Sequence, residues 1–178
     1  HLAARHAAAH SSVLFSGTLT PPAFYRDLLG LPPETGWVDV ESPFHSGQLA
    51  VHTVGHLSTR FADRAQSLAP IARLVAEQFA RLPGNYLCFA SSFDYLQRIA
   101  AQLQQAHPEV PQWQQTAGMD DAARQAFLDR FQEGGQGIGF AVLGGAFSEG
   151  VDLPGHRLIG AFIATLGLPQ VNPVNEEM

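Results

Sequence analysis

Segments of strand character and segments of helix character alternate along most of this chain, and turn residues stand at most of the junctions. Short apolar runs precede longer amphipathic stretches, which is the order that gives parallel strands joined by crossover helices. The alternation therefore predicts an α/β fold with a parallel sheet and helices on both faces. Ligand chemistry in such a sheet collects in the loops at the carboxyl ends of its strands.

The predicted elements fall into an amino-terminal part and a more regular part. For the first part we predict helices over 2–10 and 22–29, a strand over 12–15, and extended segments over 37–41 and 48–54. For the second part we predict helices over 63–81, 93–105 and 121–132 and strands over 85–90, 110–114, 137–143 and 157–165. The stretch 30–46 is expected to link the two parts, so that the compact unit begins near Gln48.

Composition permits one full hydrophobic core. The 178 residues are 46% hydrophobic and include 12 Phe, which favours one compact domain with an appended segment. No run reaches the roughly 20 apolar residues that a bilayer-spanning helix needs, so we expect a cytoplasmic protein with no membrane partner. The single cysteine, Cys88, lies in an apolar run and predicts a buried structural thiol. The chain begins without Met, so we expect a piece of a longer protein.

The charge pattern restricts how a nucleic acid could bind. The net charge is -6, and the ten basic residues, all of them arginine, form no cluster. Nonspecific affinity for a polyanion comes from clustered basic residues that displace counterions. Any nucleic acid must therefore be held by backbone amides and hydroxyls, with positive charge supplied from elsewhere.

Two loops after predicted strands combine hydroxyls with free backbone amides. The run Ser16-Gly17-Thr18-Leu19-Thr20-Pro21 either relays a hydrogen bond between a nucleotide site and a neighbouring surface or merely caps the next helix. Ser91 and Ser92 open a predicted helix, which is a geometry suited to binding phosphate. An ordinary helix N-cap explains the two serines equally well.

A third loop is the most distinctive. Four glycines, at positions 144, 145, 150 and 155, allow the backbone to approach a ligand, while Glu149 and Asp152 supply two carboxylates three residues apart. A structural turn alone does not need this combination. From the residues alone, the carboxylates could serve a metal, a ribose, an arginine of a partner domain, or no ligand.

Three other patterns predict no site. The run Gly145-Ala146-Phe147-Ser148-Glu149-Gly150 lacks the first glycine of a hydrolase nucleophile elbow, because Ala146 stands there. The glycine-rich run 134–139 precedes a predicted strand, where a dinucleotide fingerprint must follow one. Two histidine pairs, at 6 and 10 and at 52 and 56, lack a third ligand, so no metal site is predicted.

Three of these runs occur in the order of known helicase motifs. The run 16–21 resembles motif III of the DinG/XPD-like superfamily 2 DNA helicases, the run 86–92 resembles motif IV, and Phe147-Ser148-Glu149-Gly150-Val151-Asp152-Leu153-Pro154-Gly155 resembles motif V. The run 166–173 resembles the segment that follows motif V. Together with the order of elements between the motifs, the resemblance covers nearly the whole chain.

The resemblance implies a RecA-like lobe of a two-lobed motor that clamps ATP with Mg²⁺ and moves along single-stranded DNA in the 5′-to-3′ direction. Residues 1–46 would be the end of the first lobe and a crossover, and residues 47–178 the second lobe, truncated before motif VI. The implied site residues are Gly145, Glu149, Gly150 and Asp152 at the nucleotide-binding cleft between the lobes, Ser91, Ser92, Gly144 and Ser148 at the DNA, and Ser16, Gly17 and Thr18 in coupling.

Departures from the family pattern limit what this chain could do alone. The Walker A loop and the acidic metal-binding box of the first lobe are missing, as is the arginine of motif VI. Phosphoryl transfer needs all of these groups, so we expect the chain by itself to be inactive and to bind neither ATP nor Mg²⁺. An iron–sulfur cluster, where relatives carry one, belongs to the first lobe. The alternatives are a RecA-like protein-interaction scaffold without catalysis and a small-molecule transferase that uses the glycine-rich loop.

Overall fold

A computed structural model of the chain describes residues 2–165. The chain divides into two compact units, His1–His52 and Thr53–Met178. None of the helices in the described part has the length and apolar character needed to span a bilayer. The assignment of residues 1–46 and 47–178 to two helicase lobes stays a prediction.

The first unit contains two short helices, α1 (Leu2–Ala8) and α2 (Pro22–Leu29). Proline suits the first position of α2 because its missing N–H has no partner there in any helix. The helix ends at Gly30, whose φ of 64° lies in the left-handed region. A single 3₁₀ turn, Ser46–Gln48, is the other regular element among residues 2–52.

The predicted strand over 12–15 is wrong, and the extended segments over 37–41 and 48–54 form no sheet. Strands form in pairs, because a lone extended segment leaves its backbone N–H and C=O groups unbonded. No segment of residues 2–52 pairs with another, and Val13 and Phe15 are 85% and 91% exposed. Nothing within residues 2–52 is buried.

The second unit is built on a parallel sheet of four described strands. They are β1 (Asn85–Ala90), β2 (Gln112–Gln114), β3 (Gly137–Val142) and β4 (Gly160–Ala164), in the spatial order β2-β3-β1-β4. Every neighbouring pair is parallel. Helices α3 (Arg64–Arg81), α4 (Phe93–Ala106) and α5 (Asp121–Leu128) alternate with these strands. The predicted α/β class is therefore confirmed.

Helices cover both faces of the sheet, as predicted. Successive side chains of a strand point to opposite faces, so Cys88 and Phe140 share one core with α3 and α4 while Leu87 and Ala141 lie in another with α5. Residues from the helices and strands that fill the first core include Ile71, Val75, Tyr95, Leu96, Ile99, Leu103, Cys88, Ala90, Ile138 and Phe140. A strand buried on both faces explains why β1 reads as one continuous apolar run.

Aromatic rings fill the second core because β3 carries glycines beneath them. A Cβ atom on Gly139 would lie 2.6 Å from Cζ of Phe131 and 3.0 Å from Nε1 of Trp113. The rings of Trp113 and Phe131 meet edge to face, with centroids 4.8 Å apart. The missing side chain of Gly139 therefore makes the space that these rings occupy.

Several predicted elements are shorter than expected. Helix α1 ends at Ala8 instead of 10, β3 ends at Val142 instead of 143, and β4 spans Gly160–Ala164 instead of 157–165. Helix α5 ends at Leu128 instead of 132, because a turn joining Phe131 N–H to Leu128 C=O at 3.0 Å follows it and Phe131 is fully buried. Strand β2 begins at Gln112 instead of 110, because Val110 N–H bonds to His107 C=O in a turn and Pro111 has no N–H to donate.

Replacing Gly139 by alanine should destabilise the second unit by about 1–3 kcal/mol, the usual cost of overpacking a core. The added Cβ has no room against Phe131 and Trp113. Gly55→Ala is the control, since a Cβ there meets nothing within 4 Å, and should change stability by less than about 1 kcal/mol. Urea unfolding of the two variants measures the difference; equal midpoints would contradict this account of the core.

Burial should make the stability of the fold sensitive to alkaline pH through Cys88. Desolvation raises the pKa of this thiol from 9.0 to about 12. The folded state thus keeps a proton that the unfolded state loses, so the contribution is complete below pH 9 and is lost as pH rises from 9 toward about 12. Unfolding free energies measured between pH 8 and 11 should fall more steeply for the wild type than for Cys88→Ala. If the unfolding free energies of the two proteins fall equally with pH, Cys88 does not cause this pH dependence.

Candidate functional site

Two loops lie together at the carboxyl edge of the sheet. Strands β1 and β3 are neighbours in parallel register, with Ala90 opposite Val142. The Leu143 N–H donates to Ala90 C=O at 2.9 Å, which continues the pairing into the loops. The serine loop, Ser91 and Ser92, and the glycine loop, residues 143–155, therefore leave adjacent strand ends. Ser91 and Gly144 thus follow neighbouring strand ends at one edge of the sheet, while the expected place of Glu149 at this edge and the roles of all three residues stay predictions.

Both serine hydroxyls make contacts within the unit. Ser92 is the N-cap of α4, and its Oγ accepts a hydrogen bond from Tyr95 N–H at 3.3 Å. The Oγ of Ser91 accepts a hydrogen bond from the Nη2 of Arg64 at 2.7 Å. The N-cap explanation therefore holds for Ser92, whereas Ser91 is tied to a cation.

The glycine loop contains backbone conformations that only glycine adopts readily. Gly144, Gly150 and Gly155 have φ values of 78°, 70° and 63°, in the left-handed region where a Cβ is strained. Ser148 braces the start of the loop: its Oγ accepts from Gly144 N–H at 2.7 Å and donates to Val142 C=O at 3.3 Å. The Gly145 N–H bonds to Val142 C=O at 3.1 Å. The Ser148 hydroxyl therefore acts within the loop.

Apolar side chains fix the glycine loop to the core while its carboxylates face solvent. Phe147 is 3% exposed and stacks on Phe127 with ring centroids 4.2 Å apart. Val151 and Leu153 pack against the same cluster. Glu149 and Asp152 are exposed, and no hydrogen bond or ion pair joins either of them to another residue within 2–165. Both carboxylates are therefore free to meet a partner.

The structure adds Gln115, which the sequence analysis missed. Gln115 is 7% exposed; its side-chain Oε1 accepts a hydrogen bond from Val142 N–H at 2.9 Å, and its backbone N–H donates to Phe140 C=O at 2.8 Å. Gln115 thereby holds the last residue of β3, from which the glycine loop starts. Gln115 comes directly after β2, at the same carboxyl edge of the sheet, and this position in the sequence could have indicated it.

Arg64 is a second residue that the sequence analysis missed. It lies at the start of α3, 27 positions before the serine that it contacts. Its guanidinium carbon stands 4.7 Å from the ring centroid of Tyr95 and 5.3 Å from that of Phe61. No local pattern could reveal this contact, because only the packing of α3 on α4 brings the residues together.

The predicted coupling residues lie in the first unit. Ser16, Gly17 and Thr18 are exposed, and Thr18 N–H donates to Ser16 Oγ at 3.2 Å. The N-cap of α2 is Pro21, and no side chain caps this helix. The run therefore leads into α2 without a hydroxyl cap, and the coupling role stays a prediction.

Among residues 2–165, no group of three or more His, Cys, Asp or Glu side chains has a geometry that could hold a metal ion. The glycine-rich run 134–139 leads into β3, which begins at Gly137, so it precedes a strand as the sequence indicates.

The profile of one protein family, described as Helicase C-terminal domain, matches residues 75–178. The match covers more than half of the chain and includes all four strands and both loops of the carboxyl edge. This chain belongs to the helicase C-terminal domain family. The prediction of a helicase lobe is confirmed at this level. The match does not distinguish the DinG/XPD-like group, and the run 166–173 lies outside the described residues.

Gln115→Ala should destabilise this helicase domain by about 1–3 kcal/mol, because it leaves the Val142 N–H without a partner. Gln105→Ala removes an exposed glutamine from α4 and should cost less than about 0.5 kcal/mol. Chemical unfolding of both variants gives the comparison. A Gln115 variant as stable as the Gln105 variant would show that the hydrogen bond from Val142 N–H to Gln115 does not stabilise the domain.

Proposed function

We propose that this chain is the second motor lobe of an ATP-dependent DNA helicase of the DinG/XPD-like group. In the full-length protein it couples ATP hydrolysis in the cleft between two lobes to movement along single-stranded DNA. The observation that carries the proposal is the glycine loop, which starts beside the end of β1 and presents Glu149 and Asp152 to solvent with no partner among residues 2–165.

The glycine loop is suited to a contact that forms only when the lobes close. Glu149, Gly150 and Asp152 are exposed on a segment whose ends are fixed by Phe147 and Leu153 in the core. A fixed loop with free carboxylates loses little conformational entropy when a partner arrives. In the proposed motor that partner is a group of the first lobe or the nucleotide, with Gly145 lining the same cleft.

Nucleotide chemistry in this motor depends on groups outside the chain. ATP with Mg²⁺ supplies the free energy of phosphoryl transfer, and its phosphates need a cradle of the Walker A kind with a lysine. This sequence contains no lysine. The residues 145–152 therefore fit one wall of the nucleotide site, and the first lobe supplies the opposite wall.

The DNA-facing residues work mainly through the backbone. The hydroxyls of Ser92 and Ser148 are used in capping α4 and in bracing the glycine loop, so these residues shape the edge and leave nearby N–H groups to meet phosphates. Ser91 and Gly144 lie at the same edge of the sheet. This mode of binding agrees with a net charge of -6, which opposes binding by a basic surface.

The exposed apolar residues of the first unit support its assignment to the first lobe. Val13, Phe15, Val38, Val40, Phe44 and Val51 are each at least 73% exposed. Apolar surface on this scale marks an interaction face. In the proposal, residues 1–46 are the end of the first lobe and a crossover, and Ser16, Gly17 and Thr18 couple that lobe to the DNA.

Glu149→Gln and Asp152→Asn should uncouple the motor without unfolding it. Exposed carboxylates without partners contribute little to stability, so each change should shift the free energy of unfolding by less than about 0.5 kcal/mol. A contact made only in the closed state is worth roughly tenfold in rate for each 1.4 kcal/mol. DNA-stimulated ATPase and unwinding by the full-length protein should therefore fall at least about tenfold.

Glu77→Gln on α3 is the matched control, because this exposed glutamate lies on a helix outside both loops and pairs with Arg73. It should leave both turnover and melting temperature unchanged. Wild-type turnover in both loop variants would refute the role of the carboxylates. A full-length wild-type protein without DNA-stimulated ATPase would refute the motor itself and favour the interaction scaffold.

A further inference from the structure

We propose that Arg64 binds a backbone phosphate of the single-stranded nucleic acid, together with Ser91, at the carboxyl end of β1. The inference rests on the proposed function, because it takes the nucleic acid of that motor as the ligand. It adds a cation to the hydroxyls and backbone amides that the sequence predicts for DNA binding at this edge.

The guanidinium of Arg64 is held in one position by three contacts. It lies over the ring of Tyr95 at 4.7 Å and near the ring of Phe61 at 5.3 Å, and its Nη2 donates to Ser91 Oγ at 2.7 Å. The Tyr95 ring is itself fixed, since the residue is fully buried and its hydroxyl lies 2.9 Å from Ser67 Oγ. A side chain fixed in this way loses little entropy when it binds an anion.

The charge of Arg64 has no counterion among residues 2–165. Arg73, Arg98 and Arg124 each pair with a carboxylate on their own helix, whereas no ion pair in this part of the chain includes Arg64. Its Nε is buried and has no hydrogen-bond partner there. A partly buried cation without a counterion is unfavourable, so the site is short of one negative charge.

The surroundings of Arg64 fit a phosphate. Ser91 uses its oxygen as the acceptor from Arg64, which leaves its hydroxyl hydrogen to donate. Ser91 stands just before α4, whose first-turn backbone N–H groups also attract anions. The nearest acidic residue of that turn, Asp94, is exposed and pairs with Arg98 at 3.8 Å. A phosphate oxygen could therefore accept from a guanidinium and a hydroxyl at once.

The test measures the affinity of the full-length protein for oligo(dT) over a series of salt concentrations. Arg64→Gln should bind roughly tenfold more weakly than wild type, and its plot of log affinity against log salt should be shallower by about 0.7, the value for one lost phosphate contact on a single strand. Arg73→Gln, a change on the same helix at an exposed position, should alter neither quantity. Arg64→Lys should keep the wild-type slope, because it keeps the charge.

Several outcomes would overturn the inference. If wild type binds oligo(dT) and Arg64→Gln matches it in affinity and slope, Arg64 has no phosphate contact and the motor proposal stands. If Arg64→Gln instead raises the KM for ATP and leaves DNA affinity unchanged, the ligand is the nucleotide and the inference is wrong. Wild-type protein that does not bind oligo(dT) would overturn both proposals.

Should Arg64→Gln fail to fold, Ser91→Ala tests the same phosphate contact. This variant removes one donor and retains the cation, so it should weaken oligo(dT) binding several-fold while the melting temperature and the salt slope stay near the wild-type values. Unchanged affinity in a folded Ser91→Ala protein would also overturn the inference.

Discussion

The parallel pairing of β1 with β3 is the interaction on which the rest of the second unit depends. It places Ala90 opposite Val142, and the hydrogen bond from Leu143 N–H to Ala90 C=O carries the pairing past the ends of both strands. Because a shift of one residue would exchange the two faces of a strand, this register also decides which side chains meet α3 and α4 and which meet α5. The serine loop and the glycine loop are neighbours for the same reason.

Glycines in the strands of this sheet leave the space that neighbouring aromatic rings fill. Gly139 leaves space for Phe131 and Trp113, and a Cβ on Gly160 would lie 2.8 Å from the ring of Tyr86. Close packing of this kind transmits position, because rings without free space cannot shift independently. Phe147 extends the same aromatic cluster into the glycine loop through its stacking on Phe127. The loop that presents Glu149 and Asp152 is therefore anchored to the core through Phe147.

The candidate site combines groups used internally with groups left without partners. Ser92 and Ser148 have the residue types expected of ligand-binding hydroxyls, yet their hydrogen bonds cap a helix and brace a loop. Glu149 and Asp152 have no partner among the described residues, and Arg64 has no counterion among them. Groups whose interactions are complete can only shape a site, whereas groups with unused charge can bind. The proposed motor assigns the carboxylates to the cleft between the lobes and the arginine to the nucleic acid.

The sequence by itself determined the elements of the second unit, because turn residues and apolar periodicity are local signals. Strand β1 has the predicted bounds, and α3 and α4 differ from the predicted bounds by one residue at a single end. The motif order also predicted a helicase lobe, which the match over residues 75–178 confirms without distinguishing the DinG/XPD-like group. Where a non-local partner decides the outcome, the sequence was insufficient. The run 12–15 has strand character but no neighbouring strand among residues 2–165, and α5 stops early because Phe131 turns into the core. Only the tertiary structure brought Arg64 to Ser91 and Gln115 to Val142, since each contact joins residues 27 positions apart through the packing of separate elements.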